Sequence, residues 1–103
     1  MAKNDIILGF AMCRFLIKSC ILSIDKIGVH PLYRRCGIGT KLINRIKKVG
    51  LPIKLDVTAK NKIAINFYLK NGFEMIDSKI LGHDILVYIM SYTPHHKRKK
   101  AQT

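Results

Sequence analysis

Tryptophan is absent from this 103-residue chain, and glutamate occurs once, as Glu74. Acidic residues number six in all, against nineteen lysines and arginines, which leaves a formal charge of +13. An excess of one sign on that scale draws polyanions: coenzyme phosphates, nucleic acid or anionic lipid. No apolar run approaches the roughly 20 residues that cross a bilayer as a helix, so no membrane partner is expected. A polar start at residues 1–5 precedes a short apolar stretch at 6–12, without a cationic leader or a small-residue cleavage site, so no secretory signal is expected. The cysteines Cys13, Cys20 and Cys36 are odd in number, scattered and without CxxC spacing. That pattern gives neither a disulfide framework nor a metal site, and the expected setting is the reducing cytoplasm.

What is present is globular. Hydrophobic residues make up 49% and charged residues 24%, which excludes a wholly disordered chain. A length of 103 residues leaves room for one domain with a modest core. That domain is expected over residues 1–93. A basic tail follows at 94–103, where the run His95-His96-Lys97-Arg98-Lys99-Lys100 offers too little apolar surface to fold.

Hydrophobic periodicity predicts strands over 6–15 and 20–29, with a turn at 16–19 between them. In the second strand Ile21, Ser23, Asp25 and Ile27 fall on one face and Leu22, Ile24, Lys26 and Gly28 on the other. Its imperfect alternation suggests partial cover on both faces. His30-Pro31 ends that strand, and a loop at 32–40 leads into a helix whose stripe is Ile38, Leu42, Ile43, Ile46 and Val49, and Gly50 and Pro52 stop it. A strand at 53–58 alternates Ile53, Leu55 and Val57 with Lys54, Asp56 and Thr58. Asn61 is placed to cap a helix over 62–71. Strands at 73–80 and 85–90 close the domain as an antiparallel pair. The order is β-β-α-β-α-β-β, an α/β domain of the α+β kind with a mixed sheet and one parallel crossover around the first helix.

The segment richest in chemistry is the strand, basic loop and helix over 27–49. A helix N-terminus offers unpaired N–H groups and the positive end of its dipole, which suits an anion. Gly37 and Gly39 let the backbone approach a phosphate, and Arg34 and Arg35 add charge. The plainer reading is a tight turn with two solvated arginines. The dinucleotide fingerprint is incomplete because position 42 is leucine, and no Gly-Lys-Ser/Thr of a Walker loop follows. A second block, running from Leu55 to Phe73, has the form V-x-x-x-N-x-x-A-x-x-F-Y-x-x-x-G-F.

Together with I-G-V-H-P-x-Y-R-R-x-G-I-G-T, that block makes the chain similar, over about residues 6–90, to the GNAT family of acetyl-coenzyme A-dependent N-acetyltransferases. The family's R/Q-x-x-G-x-G pattern stands here as Arg34, Gly37 and Gly39. The resemblance implies a minimal domain of that fold, shortened at its N-terminus and lacking the strand and two helices that usually precede the hairpin. It implies that backbone groups of Ile27, Gly28 and Val29 bind the pantetheine arm of acetyl-CoA, beside a splay of strands for which a bulge at Gly28 is suited. Amides from Arg35, Cys36, Gly37, Ile38, Gly39 and Thr40 would hold the pyrophosphate, with Arg34 adjacent and Asn61 near the coenzyme arm. Tyr68 matches the tyrosine that protonates the departing thiolate, and a helix tyrosine packed on the sheet is the plainer reading. Asp56 stands where ribosomal-protein N-terminal acetyltransferases carry a glutamate base, one methylene longer. Asp25 is the weaker alternative. Cys36 is expected to contribute its amide only, and His30 and His83 to be loop residues.

The implied activity is acetyl transfer from acetyl-CoA to an amine of unidentified class: a protein N-terminus, a lysine or a small amine. The charge favours acidic or neutral acceptors over basic ones. The shortened front leaves the acceptor wall open, which a partner chain or a homodimer would complete. Two other readings stand beside it, a coenzyme A-holding regulatory module without catalysis and a basic nucleic-acid-binding protein on the same fold. The tail supplies the nucleic-acid contact in the last.

Overall fold

The computed structural model describes residues 2–3, 6–33 and 36–94. Arg34 and Arg35, and the tail beyond Pro94, lie outside the described residues. Pro94, the first residue of the expected tail, is buried.

The expected order of elements is present. Strand β3 (Gly9–Leu16), strand β4 (Ile21–Val29), helix α1 (Ile38–Lys47), strand β5 (Ile53–Thr58), helix α2 (Lys62–Lys70), strand β6 (Glu74–Leu81) and strand β7 (Ile85–Tyr92) follow in turn. A two-stranded ribbon precedes them, β1 (Ala2–Lys3) paired with β2 (Ile6–Ile7). The single first strand expected over 6–15 is therefore split at Leu8. The Leu8 carbonyl accepts a 2.6 Å hydrogen bond from the His30 amide, and β3 starts at the next residue.

The five-stranded sheet has the order β3-β4-β5-β7-β6. Only β4 and β5 are parallel, and α1 makes the crossover between them, as a parallel pair requires. Both helices lie on one face. Lys47, near the end of α1, donates from Nζ to the Asn71 carbonyl after α2 at 2.5 Å, and its ammonium sits 4.5 Å from the centre of the Tyr92 ring. Beneath the helices, Ile43, Ile53, Phe73 and Met90 are fully buried. Each such side chain contributes about 1.5–3 kcal/mol of transfer free energy. Ile53, Leu55 and Val57 point into this core, as their alternation predicts, while Lys54, Asp56 and Thr58 point to the other face, which no described helix covers.

The faces of β4 depart from the strict alternation expected. Met12 stands opposite Lys26 and Cys13 opposite Ile24, so Asp25 is skipped and forms a bulge. Before the bulge, Leu22 and Ile24 face the core and Ser23 faces away. Past it the phase inverts, and Ile27 joins Leu22 and Ile24 against the core. The irregular hydrophobic pattern of this strand reflects the extra residue rather than cover on both sides. The bulge expected at Gly28 is not there: Gly28 pairs in register with Phe10. A Cβ on Gly28 would lie 2.7 Å from the Phe10 ring, so the glycine leaves room for a neighbouring side chain.

Candidate functional site

Strand β4 registers with β5 only from Leu22 opposite Ile53 to Ile24 opposite Leu55. Beyond those three pairs the strands part. Residues 26–29 pair on one side with β3, and residues 56–58 pair on the other with β7. The bulge at Asp25 starts where the parting starts, because the added residue bends β4. Ile27, Gly28 and Val29 line one arm of the opening and are half-buried.

After Val29 the chain passes through His30 and a single 3-10 turn, Pro31–Tyr33, to the start of α1. The Cys36 amide donates to the Tyr33 carbonyl at 3.3 Å. Gly37, with φ 78 and ψ 11, is the N-cap of α1. That left-handed conformation favours glycine, and a Cβ there would meet nothing within 4 Å. No side chain caps α1, and its first turn holds no acidic residue. The first main-chain bond of the helix runs from the Lys41 amide to the Gly37 carbonyl at 3.0 Å. The amides of Gly37, Ile38, Gly39 and Thr40 thus have no partner among the described residues, as a helix start leaves them. Gly39 has a second use. A Cβ on it would sit 3.0 Å from Cζ of Phe67, so the small residue lets α1 approach α2.

Helix α2 is capped. Asn61 Oδ1 accepts from the Ala64 amide at 3.2 Å. Seven residues on, Tyr68 is 6% exposed, with its ring 5.3 Å from that of Phe67 and 5.4 Å from that of Phe73. No buried side-chain nitrogen or oxygen among the described residues lacks a partner, so its hydroxyl is not sealed in the core unpaired. Burial raises the Tyr68 phenol above its ordinary value, which keeps it protonated at neutral pH. It is a hydrogen-bond donor there and not a base.

Asp56 lies on the opposite face of β5 from the core that holds Tyr68. Its carboxylate accepts from Lys79 Nζ at 2.9 Å, Lys79 reaching across β7 from β6. Asp25 accepts from Arg14 Nε at 2.6 Å and from the Ser23 hydroxyl at 3.3 Å. The Arg14 hydrogen bond holds the Asp25 carboxyl below the usual carboxylate range, which makes it a poorer base than the sequence alone implies. Asp56 follows the last β4–β5 pair by one residue, and Tyr68 packs in the core on the other face of the sheet. Sequence reasoning missed Arg14, Lys54 and Lys79 around Asp56. The alternation of β5 signals Lys54, but Arg14, paired with Asp25, and Lys79, paired with Asp56, come to this face through pairings distant in sequence. His30 and His83 are a loop residue and a turn residue, with the His30 ring edge-on to Tyr33 at 5.3 Å. The thiols of Cys13, Cys20 and Cys36 are free and exposed. No helix among the described residues is long and apolar enough to cross a membrane.

The model of the acetyltransferase (GNAT) domain matches residues 1–75. N-alpha-acetyltransferase 50 of Danio rerio is 40% identical over 84 residues, covering 74% of this chain and 50% of its own length. The chain thus spans about half the length of that curated relative. Among solved structures, Arabidopsis thaliana Naa50 in complex with the bisubstrate analogue CoA-Ac-MVNAL superposes with a TM-score of 0.76 at 32% identity, over 87% of this chain and 68% of that one. Chaetomium thermophilum Naa20 in complex with a bisubstrate analogue reaches 0.80 at 19% identity, over 96% and 67%, and speaks for the fold alone.

Proposed function

Because the chain belongs to the GNAT acetyltransferase family, we propose that it binds acetyl-CoA and transfers the acetyl group to an amine. The observation that carries this reading is the conjunction of unpartnered amides at Gly37–Thr40 with a strand opening that starts at Asp25. Amides and helix dipole suit a pyrophosphate. The exposed backbone edge at Ile27, Gly28 and Val29 suits the amide groups of a pantetheine arm, with Asn61 at the start of α2 on the far side of the opening. Arg34 and Arg35 add charge to the loop, whereas the Cys36 amide, expected to join the phosphate-binding set, is engaged by the Tyr33 carbonyl.

The coenzyme supplies an acyl group activated as a thioester. The rest is the chain's work. Holding two reactants in line removes much of the entropic barrier. Asp56, or a water it holds, accepts the proton that the acceptor amine must lose. Tyr68, protonated and on the other side of the sheet, donates a proton to the leaving sulfur. The position of Asp56, one residue past the last β4–β5 pair, supports its part in this division.

The test follows thiol release from acetyl-CoA with a panel of peptide N-termini, lysine side chains and small amines. Tyr68→Phe is expected to keep coenzyme affinity and lose about 100-fold or more in rate. Unchanged release by Tyr68→Phe overturns the assignment of the acid. Tight coenzyme binding without release for any amine would make the chain a coenzyme-holding module. Binding to random DNA that weakens steeply with salt and ignores coenzyme would favour the nucleic-acid reading.

A further inference from the structure

The sheet face that no described helix covers carries a groove of about 310 Å³ beside Asp56. Five charged side chains line it: Arg14, Asp25, Lys54, Asp56 and Lys79. Both acids are committed, Asp25 to Arg14 and Asp56 to Lys79. Lys54 is left over. It is half-buried, it lines the same groove, and it has no ion-pair partner among the described residues. It precedes Asp56 by two residues on one strand, so the two share a face about 6–7 Å apart along β5. An ammonium in such a groove without a carboxylate of its own is available to a ligand's anionic group.

We propose that Lys54 is a specificity-determining residue for the acceptor, binding a carboxylate that the acceptor carries close to its reacting nitrogen. The inference rests on the transferase reading above and names its acceptor class: an amine with an acidic group close by. An acidic side chain within the first two residues of a peptide provides such a group, and so does a free amino-dicarboxylic acid. With the amine at Asp56 and the carboxylate at Lys54, the acceptor lies along β5 on the open face, while the coenzyme enters through the opening between β4 and β5. The reacting amine also competes with Lys79 for Asp56, which favours acceptors that gain a second contact elsewhere in the groove.

The experiment compares kcat/KM for peptides identical except for Glu, Gln or Lys at the second position, with free glutamate as a separate arm. It measures peptide affinity for the coenzyme-loaded chain in parallel. The parent is expected to favour Glu over Gln by about tenfold, through KM rather than kcat, with the preference shrinking in high salt. Lys54→Met should bring the ratio near one, Lys54→Gln should do the same, and Lys54→Glu should turn it toward Lys. A preference for free glutamate over the acidic peptide would assign the groove to a small molecule. No acidic preference in the parent, or one that survives in Lys54→Met, overturns the proposal. If no acceptor is acetylated, the transferase reading fails, and the affinity series still decides the role of Lys54: equal binding of Glu and Gln peptides overturns it, and a Glu preference lost in Lys54→Met upholds it.

Discussion

Replacing Gly37 separates the conformational role of the loop from its anion-binding role. Alanine or glutamate at this position must adopt φ 78, at a cost of about 1–2 kcal/mol for a residue with a Cβ. No steric cost adds to it, because a Cβ there meets nothing within 4 Å. Both variants should therefore melt together, roughly 4–16 °C below the parent, at about 4–8 °C per kcal/mol for a domain of this size. They should differ in coenzyme affinity. A carboxylate at 37 stands beside the unpartnered amides and faces any phosphate held by them. Two like charges about 4 Å apart repel by up to ~4 kcal/mol at an effective dielectric of 20, before salt screening. Gly37→Glu should bind coenzyme A between about 10-fold and about 1000-fold more weakly than Gly37→Ala, with a gap that narrows as salt rises. Calorimetric titration at two ionic strengths measures both. Equal affinity of the two variants, or a gap indifferent to salt, would refute the placement of the pyrophosphate at this helix start.

Two further outcomes are expected. Lys47→Met keeps the aliphatic stem but loses the hydrogen bond to the Asn71 carbonyl and the cation over Tyr92. Stability should fall by about 1–3 kcal/mol, read as a lower urea midpoint at constant slope. Asp25 ionises more readily in the folded chain than in the unfolded one, chiefly through its hydrogen bond from Arg14. Its contribution is therefore complete above the unfolded value of about 3.9 and disappears as pH falls through the lower folded value. Melting curves of the parent and Asp25→Asn should converge in acid and stay apart at neutral pH, and a difference that persists in acid contradicts the Arg14–Asp25 coupling.

The legibility of this chain followed the range of the interactions. Local signals were enough for α2, whose cap at Asn61 stands immediately before its first residue, and for β5, where alternation assigned each side chain to a face. They failed where a feature depended on a neighbour distant in sequence. The bulge at Asp25 is defined only by its register with Met12 and Cys13. The room at Gly28 has meaning only because Phe10 lies opposite. Gly39 looked like part of a phosphate loop, and its contact with Phe67 is invisible until α1 and α2 share a face. The ion pair of Asp56 with Lys79 crosses an intervening strand, so no spacing in the sequence announces it.

The central claim is that the amides of Gly37–Thr40 and the backbone of Ile27–Val29 together hold the coenzyme. A titration of nitrogen-15-labelled chain with coenzyme A reads both sets of amides in one spectrum. The account predicts saturable shifts confined to these residues, to the loop at 34–36 that leads into them and to Asn61, with Lys54 and Lys79 on the other face unmoved. Shifts restricted to the basic residues after Pro94, or spread evenly over surface lysines, would contradict it.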